Sequence, residues 1–342
     1  SLTTEDLNAL STQQFANMAT AQLRALTTDQ LSALATDDFA ALGTRGIRAF
    51  DSAQIGALST EAIVAMTSSQ AGSIVTTQSP GLTTEQIANL ESRDLRALST
   101  QTLRAFSSDQ LAALTSDQMP QLTTQQVAAL STAQIASLGT EDLVALSTQQ
   151  FAAMATTQLR ALTSDQLGAM ASDDLAALGT RGIRALDSAQ LGALSTDGIV
   201  ALTTQQWASL GSNQTAGLGT DQIAAIASDD LAALGSAAIR GLTSDQFGAL
   251  TTDQIPNLGT AQLAALTSVQ IAGLDSAQVA AIESADIRAL STAALRAIST
   301  DQIGGLTTDQ VTQLTTTQVA AFTTEQVAAL ATDDFVALTT QQ

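Results

Sequence analysis

The 342 residues contain no cysteine, no histidine, no tyrosine and no lysine. Absent cysteine excludes a disulfide framework and thiolate metal sites. Without histidine, cysteine, lysine or tyrosine, a nucleophile could be activated only by carboxylates, hydroxyls or arginine, so the chain reads as no enzyme, with no catalytic residue and no cofactor. Proline occurs three times, tryptophan once, and aromatics make up 3% of the chain. No apolar run approaches the roughly 18–20 residues of a membrane span, and no signal peptide is visible. Positive charge is scarce: twelve arginines face 32 acids, for a formal net charge of −20. A bare acidic surface repels phosphate backbones and argues against nucleic acid as a partner. Hydrophobic residues still reach 45%, too many for a disordered chain.

What is present is a repeat. From Leu2 the chain divides into octads (LTTEDLNA, LSTQQFAN, MATAQLRA, LTTDQLSA), and the register runs to Ala337 through 42 octads without insertion or deletion. The consensus is L-[ST]-[ST]-x-[QD]-[ILVF]-x-A. Column one is always Leu, Ile, Met or Phe, and column three is Ser or Thr in every octad from Thr4 to Thr340. Column six is large and apolar except at Ala71, Ser79 and Thr215. Residues 10–65 return almost unchanged at 146–201, an offset of 136 residues or 17 octads. The expectation is one continuous array over residues 1–342, cut from a longer chain because it starts and stops in mid-pattern.

An eight-residue period keeps no single face on an unbroken α-helix, and columns one and six have opposite parity on a strand. A short helix followed by a tight corner fits, because column six and the next column one are i, i+3 neighbours. Column two is rich in Ser, Thr, Asp and Gly, all good N-caps, and S/T-x-x-Q is a capping-box pattern, as in Thr27-Thr28-Asp29-Gln30. The third-column hydroxyl is a second candidate for the cap, or for a bond to a neighbouring octad. The predicted fold is therefore all-α, a solenoid or superhelix of short capped helices; a β-solenoid is the alternative. Burying two large side chains contributes about 3–6 kcal/mol per octad. Ordering eight residues costs at least about 8 kcal/mol. Either the coil must contact itself across turns, or separate chains must pack together.

The acidic doublets Asp37-Asp38, Asp173-Asp174, Asp229-Asp230 and Asp333-Asp334 are candidate Ca²⁺ ligands, although none has the glycine-containing loop of compact calcium sites. First-turn charge favoured by the helix dipole is the preferred explanation. Arginine fills column seven at Arg24, Arg48, Arg96, Arg104, Arg160, Arg184, Arg240, Arg288 and Arg296, with Arg45, Arg93 and Arg181 three residues before one of these. Pairing with acids of an adjacent coil and a plain solvated face are both open for them. The eight Phe and Trp207 read as core fillers. Pro80, Pro120 and Pro256, with Ala71, Ser79 and Thr215, mark weak octads where bends or assembly contacts are expected.

Stretches such as Leu122-Thr-Thr-Gln-Gln-Val-Ala-Ala-Leu130 resemble the "LTTAQ[IV]AAL" octapeptide-repeat arrays of very large bacterial secreted and surface proteins, often labelled adhesin, haemolysin or haem-utilisation proteins. The haem label finds no support, because His, Cys and Tyr are absent. Leu218-Gly-Thr-Asp-Gln-Ile-Ala-Ala-Ile226 is also similar to the first helix of transcription activator-like effector repeats. Those are over four times longer and carry base-reading loops and basic residues that this chain lacks. The unbroken register, the absence of catalytic chemistry and the acidic surface point to an extracellular or cell-surface structural protein, a filament subunit or the stalk of an adhesin or matrix protein; the small core of each octad predicts self-association, with divalent cations as candidate screening ions. The competing reading is a binding module whose Ser/Thr rows meet glycan, mineral or ice.

Overall fold

The computed structural model describes residues 3–339 and 342; Leu2, where the register begins, and Thr340 of the third column lie outside the described residues. Among the described residues the chain forms 38 α-helices and four 3-10 helices, each of three to seven residues, and no strand. The all-α solenoid is the fold, and the β alternative is set aside.

The corner is two extended residues, columns one and two. Leu130 has φ −59° and ψ 142°, and Ser131 has φ −72° and ψ 160°, after which the helix Thr132–Ser137 begins. Column two is therefore the N-cap: Ser131 Oγ accepts from Gln134 N at 3.2 Å, and Thr27 Oγ1 accepts from Gln30 N at 3.2 Å. The third column is the first helical residue, so its reading as the cap is corrected.

Two compact units can be separated, Ser1–Gln166 and Leu167–Gln342. Within each, helices 24 residues apart pack together. In the first unit Thr36–Ala41 lies against Thr60–Val64, which lies against Thr84–Ala88; in the second Ser172–Ala177 lies against Thr196–Val200. Three octads thus make one turn, and the coil supplies its own packing partners. Column six is buried from Leu7 to Val311 and column one from Met18 to Leu314. The aromatic residues fill this core, except that Phe322 is half-buried and Phe335 is 58% exposed in the last described coil.

The proline octads keep their place in the stack. Pro80, Pro120 and Pro256 are the second residues of the 3-10 turns Ser79–Gly81, Met119–Gln121 and Ile255–Asn257. The first residues of a helical segment have no internal acceptor, so the missing N–H costs no bond there. Coils approach closest at glycine pairs: a Cβ on Gly56 would meet the Gly81 carbonyl oxygen at 2.5 Å, and one on Gly81 would overlap that of Ser52.

Candidate functional site

Column five is where the octads are joined. Gln126 shows the arrangement. Its Oε1 accepts from the backbone N–H of its own N-cap, Thr123, at 2.8 Å. Its Nε2 donates to Leu95 O and Leu98 O, each at 2.9 Å, 31 and 28 residues earlier. One buried amide therefore caps its own helix and staples it to the previous turn. Gln54, Gln86, Gln118, Gln222, Gln254 and Gln310 repeat the pattern with the same offsets. A carboxylate could make the cap but has no proton for the staple.

The hydroxyl columns are used unequally. Column two, the true cap, carries Ser or Thr in 24 of its 43 positions, whereas column three carries one in all 43. Yet no described third-column residue is buried. A few reach across turns, as Ser68 Oγ does to Asp94 Oδ1 at 2.7 Å and Thr308 Oγ1 to Asp334 Oδ1 at 2.7 Å. Most of this strictly kept column faces outward.

The acidic doublets divide their two carboxylates. Asp37, Asp173, Asp229 and Asp333 are exposed in column four, while Asp38, Asp174, Asp230 and Asp334 are buried in column five. Among the described residues no three carboxylates gather as metal ligands would. Burial pushes the carboxyls of Asp38, Asp174 and Asp142 above the ordinary carboxylate range, and the adjacent acids Asp37, Asp173 and Glu141 add to the shift. Asp6, exposed in the first coil, shifts the other way, because Thr3 donates its backbone N–H at 3.0 Å and its hydroxyl at 2.8 Å.

Column-four acids also align along the stack. Asp37, Glu61, Glu85 and Asp109 are 24 residues apart on four successively packed helices, all exposed; Asp173, Asp197, Asp221 and Asp245 repeat the ladder in the second unit. Several arginines turn to backbone carbonyls rather than to these acids. Arg24 and Arg240 donate from Nε to the carbonyls of Ala49 and Ala265 at 3.3 and 3.2 Å, and Arg288 to Gln313 O at 2.8 Å. These are carbonyls at the helix ends of the next turn, 25 residues on, a carbonyl-capping role that is neither acid pairing nor a plain solvated face. Arg93 is the exception, with Nε 3.1 Å from Glu91 and 3.6 Å from Asp94.

The model of the ALTTAQ repeat matches at residues 1–36, 31–68, 87–124, 135–172, 168–204, 223–260 and 279–316, well over half of the chain. The chain belongs to the ALTTAQ repeat family. No curated protein matches it. The family motif is legible in Ala25-Leu26-Thr27-Thr28-Asp29-Gln30, and the geometry gives each letter a task. In an ALTTAQ repeat of this chain the leucine fills the core, the first threonine caps and the second faces outward. The glutamine closes the cap and, in turns that have one before them, staples the coil. The stretches 69–86 and 205–222, which hold Ala71, Ser79, Pro80 and Thr215, fall between matched ALTTAQ segments.

Proposed function

We propose that the chain is an extracellular structural element at the cell surface, the stalk or filament-forming part of a bacterial adhesin or biofilm-matrix protein, without catalysis. The observation that carries this reading is the glutamine staple. Octads with a column-five glutamine are held to those three and four before them, so length is added unit by unit and no closing element is needed. Stability in such an array is local and roughly additive, which suits a spacer whose length is its property. The outward column-four acids favour divalent cations as the ions between neighbouring rods. Sedimentation and negative-stain microscopy across protein and salt concentrations test the reading. Elongated particles that lengthen or bundle with concentration and salt are expected; a compact monomer under all conditions would overturn it.

A second reading is favoured by the third column, whose hydroxyls are kept in every octad although neither cap nor core uses them. It is a binding module for glycan, mineral or ice. Screening the chain beside a Thr36→Val, Thr60→Val, Thr84→Val variant, which strips one row, separates the two. Binding lost with the row supports the module; no binding by either protein removes it.

A further inference from the structure

Beyond the first coil, which holds Asp6, column five of the first unit carries an aspartate at Asp38, Asp94 and Asp142, inside a lattice joined mostly by glutamine amides. Where glutamine stands, Nε2 serves the column-one carbonyl 28 residues earlier, as in Gln86 to Leu58 O at 2.7 Å. Where these aspartates stand, the equivalent carbonyls of Leu10, Met66 and Leu114 receive no hydrogen bond among the described residues. Met66 and Leu114 are buried and Leu10 is half-buried; a carbonyl removed from water without a donor is costly, and a carboxylate beside it adds oxygens where a proton is wanted.

Thr102 shows that a short O–H in column five reaches this carbonyl. Its hydroxyl, fully buried, donates to Ile74 O at 2.9 Å, again 28 residues back. A protonated aspartate carries its O–H one bond further from the backbone than threonine does. The Asp94 carboxyl is already turned inward: Oδ1 accepts from Ser68 Oγ at 2.7 Å, and Oδ2 is buried without a partner.

We propose that Asp38 and Asp142 are proton-operated staples. With the carboxyl neutral, its O–H donates to the column-one carbonyl of Leu10 or Leu114 and closes the turn; ionised, it leaves that bond open. The surrounding charges favour the neutral form. The helix of Asp38, Thr36–Ala41, packs on Thr12–Asn17, which has no charged residue, and on Thr60–Val64, which brings Glu61. Asp37 is its neighbour in sequence, and Asp29 lies on the preceding helix. Of the arginines on the following helix, Arg48 has no acid partner among the described residues, and Arg45 is engaged with Ala16 O and Met18 O at 2.9 Å each. Asp142 has Glu141 beside it, with Asp117 and Asp165 three octads before and after, and no cation in those octads.

Both carboxyls titrate above their ordinary range, Asp38 and Asp142 alike through burial first and a neighbouring acid second. An acid raised in the folded state contributes stability that is complete below its unfolded value, near 3.8, and is lost as pH rises through the raised value. The coil should therefore tighten as pH falls from neutral through the raised values toward 3.8.

The experiment is the urea midpoint as a function of pH in that window at fixed salt, with amide hydrogen exchange over residues 10–41 and 114–145. The double variant Asp38→Asn, Asp142→Asn carries a permanent donor. It should unfold at higher urea than the parent at neutral pH and lose most of the pH dependence of exchange in those segments. Asp38→Thr with Asp142→Thr, imitating Thr102, should do the same. The control Glu85→Gln, Asp109→Asn removes two exposed charges of the same unit and should keep the parent's slope. A double variant with the parent's slope, or a control that flattens it equally, overturns the proposal.

Discussion

Octads 122–129 and 42–49 solve the same problem in different ways. In the first, Thr123 is extended and capped, and buried Gln126 joins the helix to the turn before. In the second there is no cap: Leu42 is helical, Gly43 takes φ +59°, and the helix Gly43–Ala49 follows almost directly on Thr36–Ala41. Column five is Gly46, where a Cβ would lie 2.5 Å from Leu42 Cβ, so no staple fits. Arg45 in column four takes over, donating from Nη2 to Ala16 O and Met18 O. The second unit repeats this corner, with Gly179 at φ +61° followed by Arg181 and Gly182. In both octads a side chain donates to the carbonyls of the earlier turn. Which column supplies it depends on the corner.

The largest effect should come from removing the staple where the corner is ordinary. Gln126→Leu keeps the volume but orphans the Thr123 N–H and the carbonyls of Leu95 and Leu98. With net hydrogen-bond contributions of about 1 kcal/mol each, and a buried unmet group costing more, the loss should be about 2–4 kcal/mol by urea unfolding. A loss below about 1 kcal/mol would mean that apolar packing alone holds the turns.

The unusual octad offers the next test. Gly46→Gln alone should not repair the column, because its Cβ collides with Leu42; overpacking of this kind costs about 1–3 kcal/mol. Converting the whole corner, with Gly43→Thr, Arg45→Asp and Gly46→Gln together, gives the consensus LTTDQIRA and should recover the parent's midpoint or exceed it. If the single change is harmless, corner and staple are independent, and the comparison between the two octads fails.

Much of this was written in the octad itself. The helix, its cap and its two buried columns are set within a few residues, so period, capping pattern and apolar spacing expose them. The other end of each glutamine was not visible, since nothing inside one octad says which octad lies across the turn. One signal did point there. Column five holds glutamine in 28 octads and glutamate in none, although the chain is acidic and a capping box accepts either. Only the amide also donates. The acid ladders and the carbonyl-capping arginines likewise needed the three-octad turn before their 24- and 25-residue offsets had meaning. The third column misled for the opposite reason: its uniformity looked like a cap, and the cap is the more variable column beside it.

That mismatch gives a smaller, paired test. Thr123→Ala removes the side chain that accepts from Gln126 N at 3.2 Å and should cost about 1 kcal/mol. Thr124→Val, one residue on and exposed, should stay within about 0.5 kcal/mol. Equal losses in thermal melts would return the third column to a structural role.

The smallest effect concerns the acid ladders, and it compares stacked with unstacked charge. Asp37, Glu61, Glu85 and Asp109 repeat one sign on four successive turns, and among the described residues no salt bridge to any of them is found. Exposed like charges repel weakly in water, by a few tenths of a kcal/mol per neighbour, and the Debye length of about 10 Å at 0.1 M salt screens them. Glu61→Gln, in mid-ladder with an acid on either side, should therefore stabilise the first unit by about 0.2–0.5 kcal/mol at low salt and by nothing measurable near 1 M. Asp29→Asn should gain less, because residue 53, 24 positions on, is alanine and only Glu5 stands on the other side. Melts of both variants at low and high salt make the check. A gain at Glu61 that survives high salt, or one no larger than at Asp29, would show that the 24-residue spacing does not bring these carboxylates together.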